Sequence, residues 1–294
     1  MSKPDHHEIP ELYLEGFCDP NTSFLWVFER GKPFSPGEKR CVNNPHRRGK
    51  RKTALRPDAY VVRRPNGSMH FEYEKKLQKK EHLADNVIRK VRAFEKIDAA
   101  EKDVLARYIG QMLRRLTSRD EQMGAVLESQ LAKSPLRTIG RNLADAGRFG
   151  AAHAVLDTLE RLRSKDGKTW LLRESMVQDF GSVHAAIVAM RWEFVRAAPS
   201  RYFVATDDPV VFDRHTGLQA SPLLFPLSQS VILVANHWNG DDLPYRDSSR
   251  EETRKLNSIV IQSAKNEIYS PYPDEWIHRG WIEGVIFPSS EGNT

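Results

Sequence analysis

The chain has little cysteine: among 294 residues only Cys18 and Cys41 occur. They stand too far apart for a Cys-x-x-Cys metal clip and are too few for a disulfide framework, so both read as buried or idle thiols. Long apolar runs are lacking as well. No stretch approaches the roughly 18 apolar residues that a membrane-spanning helix needs, and the opening Met1-Ser2-Lys3-Pro4-Asp5-His6-His7 carries no apolar run of the secretory kind. The expectation is a cytoplasmic protein with no membrane partner. No His-Glu-x-x-His, Walker loop, Gly-x-Gly-x-x-Gly or Gly-x-Ser-x-Gly occurs, and His153, His184, His215 and His237 have no metal-binding spacing. These absences disfavour nucleotide-fuelled and serine-hydrolase chemistry. Internal repeats and low-complexity tracts are missing too.

What is present is a globular composition, with 39% hydrophobic and 29% charged residues. The length is enough for a full core. Lysine and arginine outnumber the acids 45 to 39, a net charge of +6 that favours an acidic partner such as nucleic acid or another phosphate-bearing ligand. The basic run His46-Arg47-Arg48-Gly49-Lys50-Arg51-Lys52 has no apolar anchors and reads as a solvated loop, with a phosphate contact as the alternative.

Strand signals open and close the chain. Phe24 to Phe28 is aromatic and branched, and Ala59 to Val62 and His70 to Tyr73 flank the hairpin signal Pro65-Asn66-Gly67. From Lys76 to Val195 the spacing is helical. Val104, Leu105, Tyr108, Ile109, Met112, Leu113 and Leu116 form one stripe, Leu83, Val87, Val91 and Phe94 another, and Ser118 with Glu121 has capping-box spacing. Strands resume with Tyr202 to Val204, Val210 to Phe212, Leu223 to Phe225 and Val231 to Val234, a helix fits Glu251 to Ile268, and Trp281 to Phe287 could close the sheet. The expected fold is α+β: one mixed or antiparallel sheet built from N- and C-terminal strands, within a single domain over 1–294 that carries a helical insertion at 76–198.

A set of short motifs adds a family resemblance. His6-His7-x-x-Pro10-x-x-Tyr13-Leu14-x-x-Phe17, Leu25 to Phe28, Gln111-x-x-Arg114, Phe203-Val204-Ala205-Thr206-Asp207-Asp208-Pro209-Val210, Phe225-Pro226-Leu227-Ser228, and Leu256-Asn257 followed by Ile268-Tyr269-Ser270 come in one order over nearly the whole chain. Together they resemble the bacterial family catalogued as domain of unknown function 4238. Two positions depart from its usual pattern. Glu8 follows the histidines where an aromatic is usual, and Thr206-Asp207-Asp208-Pro209 replaces Ser-Asp-Asn-Pro.

The candidate site draws on these motifs. Pro10 suits the first turn of a short helix and Gly16 its end, which places Tyr13 and Phe17 on one face. Neighbouring His6 and His7 point to opposite sides of an extended segment, so one imidazole could act as acid or base; the alternative is a buried histidine that pins the N-terminus. Asp207 and Asp208 end an apolar strand, where they could orient a histidine or bind a divalent metal, or could cap a turn through nearby amides, as Asp and Thr often do. Arg114, with Gln111, Tyr13 and Thr206, would bind substrate, since arginine's fork suits phosphate. Trp192, Trp238, Trp276 and Trp281 could stack on bases, although core packing explains them equally. Two functions follow as expectations. One is a histidine-dependent, nuclease-like hydrolase of phosphodiesters or nucleotides, with His6 or His7 and Asp207 catalytic and Arg114 on the phosphate. The other is a non-catalytic binding or regulatory module in which the same motifs are structural.

Overall fold

Where the apolar period is two the chain extends, and where it is three to four it coils. The computed structural model describes residues 5–30, 46–57, 62–63, 69–70, 72–115, 129, 131–164, 168, 181–213 and 216–283. It runs β1 (Asp5–His7), α1 (Glu11–Glu15), β2 (Phe24–Glu29), β3 (His46–Gly49), β4 (Leu55–Pro57), β5 (Val62–Arg63), β6 (Met69–His70), α2 (Glu72–Arg92) and α3 (Ala99–Arg115). Then follow α4 (Leu136–Asp145), α5 (Phe149–Arg163), α6 (Gly181–Ala189), β7 (Arg191–Arg196), β8 (Ala205–Thr206), β9 (Val211–Phe212) and β10 (Leu223–Ser228). The last elements are β11 (Val231–Asn236), β12 (Leu243–Asp247), α7 (Arg250–Ser263), β13 (Glu267–Ser270) and α8 (Glu275–Glu283). The fold is α+β. No helix among the described residues is long and apolar enough to cross a membrane.

The chain divides into two compact units: Met1–Glu8, Arg56–Lys79 and Arg114–Gln178 form the smaller, and Ile9–Leu55, Lys80–Leu113 and Asp179–Thr294 the larger. The segment 76–198, expected as one helical insertion, is thus shared between them. In the smaller unit β1 pairs with β4, and β5 pairs with β6 as the expected antiparallel hairpin; its Pro65-Asn66-Gly67 turn lies outside the described residues. Helices α4 and α5 meet at Gly140, where a Cβ would come within 2.9 Å of the Leu156 side chain.

The larger unit holds two main sheets where one was expected. The first has the order β12-β7-β11-β10-β9, with β12 parallel to β7 and the other pairs antiparallel. The second, antiparallel, has the order β3-β2-β13-β8 and alone joins N-terminal strands to C-terminal ones. The division follows from burial. All six residues of β10 are buried, so that strand needs cover on both faces and lies inside a sheet built from its own sequence neighbours. Pro226, which has no amide to give, pairs with Ile232 on one side and lies beyond the two-residue ladder with β9 on the other. Helix α7 joins the sheets: its Val260, Ile261 and Ala264 pack in one core with Phe28 and Ile268 of one sheet and Val195, Leu224 and Ile232 of the other.

Several expected boundaries move. Arg191–Arg196 is a strand, not helix, because it pairs with all six residues of β11 and buries Trp192, Phe194 and Val195. Helix α7 stops at Ser263, and Ile268 belongs to β13. Trp281 to Glu283 ends α8 and is not a strand. The Ser118–Glu121 signal lies outside the described residues. A capping pair that the spacing did not single out opens α3: the Asp98 amide donates to Glu101 Oε2 and the Glu101 amide to Asp98 Oδ1.

Asn257 ties α7 to the segment that leads into the aspartates. Buried, it accepts from the Val204 amide at 3.1 Å and donates to the Tyr202 carbonyl at 2.7 Å. Asn257→Ala would leave both main-chain groups without partners, and a loss of about 1–3 kcal/mol in urea-unfolding stability is expected.

Candidate functional site

Asp207 leaves the end of β8 and meets the turn between α7 and β13. Its Oδ1 accepts the Lys265 amide and its Oδ2 the Asn266 amide, each at 2.8 Å, while its own amide donates to the Glu267 carbonyl. Thr206 Oγ1 is buried and accepts the Asp208 amide; the Ser263 hydroxyl donates to the Asp208 carbonyl at 3.2 Å. The Asp208 carboxylate is almost fully buried, with Oδ2 3.6 Å from Lys265 Nζ. Asp207 therefore caps a turn with main-chain amides, one of the two roles that the sequence left open. Among the described residues no group of three or more His, Cys, Asp or Glu side chains is placed to hold a metal ion.

Burial raises the pKa of Asp207 against the lowering effect of those amides, and burial likewise raises that of Glu267, whose Oε2 accepts the Tyr269 hydroxyl at 2.7 Å. A carboxyl whose pKa is raised on folding contributes stability that is complete below its unfolded value and is lost as pH rises through the folded value. Wild type should therefore lose stability between mildly acidic and neutral pH. The Glu267→Gln variant should lose less, as judged by urea midpoints at the two pH values.

The other sequence candidates divide between the units. His6 and His7 belong to β1 in the smaller unit; His7 is partly buried, and the His6 side chain lies outside the described residues. Arg114 is the last residue but one of α3, and its side chain is outside them too. Gln111, Tyr13, Thr206 and Asp208 are buried in the larger unit, where Asp207 is partly buried. Tyr13 stacks on Phe225 with ring centroids 5.3 Å apart, and Tyr108, one turn before Gln111, meets the same ring edge-on at 6.3 Å. Burial raises the pKa of both phenols, and neither hydroxyl has a hydrogen-bond partner among the described residues. In the sequence Tyr108 stands out only as part of an apolar stripe.

Arg92 is the residue that sequence reasoning missed. At the end of α2 its Nε donates to the Leu227 carbonyl at 2.9 Å, and its NH2 donates to the carbonyls of Leu12 and Tyr13 at 2.9 and 3.1 Å. It makes no ion pair among the described residues, and desolvation lowers its pKa, although a guanidinium stays charged at neutral pH. The close approach depends on Gly16. A Cβ there would stand 2.6 Å from Arg92 NH2 and 2.7 Å from the Leu227 carbonyl oxygen. The backbone of Gly16 is right-handed, so the glycine serves the contact and not a turn conformation. Gly16→Ala should cost about 1–3 kcal/mol in thermal or urea unfolding, the usual price of forcing extra volume into a packed site.

Beside Arg92 opens a recess of about 540 Å³ lined by Glu15, Gly16, Cys18, Lys50, Arg89 and the Ser228-Gln229-Ser230 turn, among others. The Cys18 thiol is buried, its pKa pushed up to about 11 by burial. Residues 5–272 match a family described as protein of unknown function (DUF4238). The chain belongs to that family. No curated protein and no solved structure matches it.

In this member of the family the basic run is an edge strand and a turn, not a loop. Strand β3 pairs with β2 alone, which places Arg47 4.5 Å from the Phe24 ring centre. Arg48 reaches Glu29 at 2.8 Å and Glu267 at 3.5 Å, while Lys50 and Arg51 in the following 3-10 turn pair with Glu15 and Glu11. Exposed Arg47, Arg51 and Lys52 leave the strip basic. Of the tryptophans weighed for base stacking, Trp192 is core and Trp238 is 71% exposed.

Proposed function

We infer that the protein is a non-catalytic binding module for a phosphate-bearing partner, in which the Asp-Asp-Pro and His-His motifs hold the fold. The observation that supports this reading is the bonding of Asp207: each carboxylate oxygen already accepts a main-chain amide, so the group works as a turn cap. The basic edge of β3 and the turn after it supply the charge for an anionic partner. A second reading is a histidine-dependent hydrolase of phosphodiesters, with His6 or His7 as acid or base, Asp207 as orienter or with Asp208 as metal ligand, and Arg114 on the phosphate. It draws on the raised pKa of Asp207, since a carboxyl that keeps its proton longer can serve as an acid. We place either activity in the bacterial cytoplasm.

The two readings part in one experiment with a fluorescent single-stranded oligonucleotide. Anisotropy should show salt-dependent binding, and a denaturing gel should show the strand uncut. Asp207→Ala should lower unfolding stability by about 1–3 kcal/mol while the folded fraction still binds. Cleavage by wild type that disappears in a folded His7→Ala or Asp207→Ala variant would overturn the binding-module reading.

A further inference from the structure

We propose that the recess beside Arg92 is a binding site for a phosphate monoester or diphosphate. The proposal rests on the binding-module reading and gives that module a site. Three cations reach the recess from two elements: Lys50 from the 3-10 turn after β3, and Arg89 and Arg92 from the last turns of α2. Arg92 is the fixed one. Its Nε and NH2 are committed to main-chain carbonyls, and NH1 makes no hydrogen bond among the described residues, so the guanidinium is oriented by the fold with one amino group unspent.

The turn between β10 and β11 also lines the recess. The Gln229 amide donates to the Gly16 carbonyl at 2.8 Å and its side chain donates to the Cys18 carbonyl at 3.1 Å, which locks this turn to the end of α1. That lock presents the Ser228 and Ser230 hydroxyls, 2.9 Å apart, to the same space.

Glu15 shows how an anion sits there. One carboxylate oxygen is 3.2 Å from Lys50 Nζ and the other is 3.7 Å from Arg89 NH2. The carboxylate bridges two cations, as a bound phosphate would, while the exposed Arg89 also holds Asp85 at 2.6 Å. Asp19 is the second acid of the lining; its oxygens are engaged by the Asn21 amide and the Thr22 hydroxyl. An incoming phosphate therefore competes with Glu15 for Lys50 and Arg89 and gains Arg92 and the serine hydroxyls in addition. A tetrahedral dianion can use donors from several directions, whereas a planar carboxylate uses fewer, so phosphate is favoured over a carboxylic acid. The volume suits more than a bare ion and falls within the usual 300–1,000 Å³ of small-molecule sites.

Calorimetric titration of the intact chain with inorganic phosphate, pyrophosphate, AMP and adenosine tests the proposal. Pyrophosphate or AMP should bind and adenosine should not. The double variant Lys50→Ala/Arg89→Ala should bind at least roughly tenfold more weakly, because two charged hydrogen-bonding groups are removed. Glu15→Gln, which takes away the competing carboxylate, should bind several-fold more tightly, an effect opposite to that of a damaged fold. Arg92 is left intact because it also holds α1 in place. Silent titrations with every phosphate, or affinities unchanged in both variants, overturn the site. The binding-module reading fails separately, through turnover of bis(p-nitrophenyl) phosphate by the wild-type chain, whatever the titrations show.

Discussion

The larger unit is organised around a guanidinium that has been solvated by main chain instead of by water or a carboxylate. Arg92 gathers the Leu12 and Tyr13 carbonyls of α1 and the Leu227 carbonyl of β10 onto the end of α2. Removing a cation from water costs several kcal/mol, and hydrogen bonds to a charged group return about 1.5–3 kcal/mol each, so the arrangement is stable only if all three carbonyls stay in place. Helix α1, five residues long, is too short to hold itself together in isolation. Its position comes from Arg92 at its carbonyl end, from Tyr13 stacked on Phe225, and from Gln229 bonded to Gly16 and Cys18. The glycine is required because nothing larger fits between the arginine and β10.

A second main-chain solvation stands at the other end of the sequence, with the sign reversed. Asp207 takes amides from Lys265 and Asn266 and so fixes the passage from α7 to β13. Asn257 makes the neighbouring connection from α7 to Tyr202 and Val204. Between them these two side chains explain why the Thr206-Asp207-Asp208-Pro209 and Leu256-Asn257 motifs occur in one chain: both hold the same helix against the strand that leads into the aspartates.

How much of this could be read from residues alone depends on how local the cause is. Phe24 to Phe28, Leu223 to Phe225 and Val231 to Val234 became strands because branched and aromatic side chains suit a pleated surface, and no distant partner was needed to see it. The Arg191–Arg196 strand escaped because Met190 and Phe194 also fit a helical step; pairing with β11 decided the outcome, and that pairing lies outside any short window. The Asp207 bonds span 58 and 59 residues, so the sequence could name capping as one of two roles and could not choose. Arg92 left a fainter trace. It stands four residues after Ile88 and next to Val91, on the buried side of α2, and a charged residue in line with an apolar stripe signals an interior partner. Gly16 does end α1, as its place in the sequence suggests, and it also admits that arginine, which no local signal announces.

The two solvated charges differ in what they leave over, and that difference decides which chemistry the unit can support. A carboxylate that receives one amide on each oxygen, as Asp207 does, has both atoms engaged. A guanidinium has more donors than three carbonyls can use, and the charge of Arg92 is met by main-chain dipoles and, through space, by Glu15. Arg92 therefore adds positive charge to the recess, where Lys50 and Arg89 contribute more and Glu15 offsets part of it. A site of this kind suits the proposed anion, which fixed donors would hold. The unspent donor at Arg92, set against a carboxylate at Asp207 with both oxygens engaged, is the physical argument behind the proposal that the larger unit binds an anion.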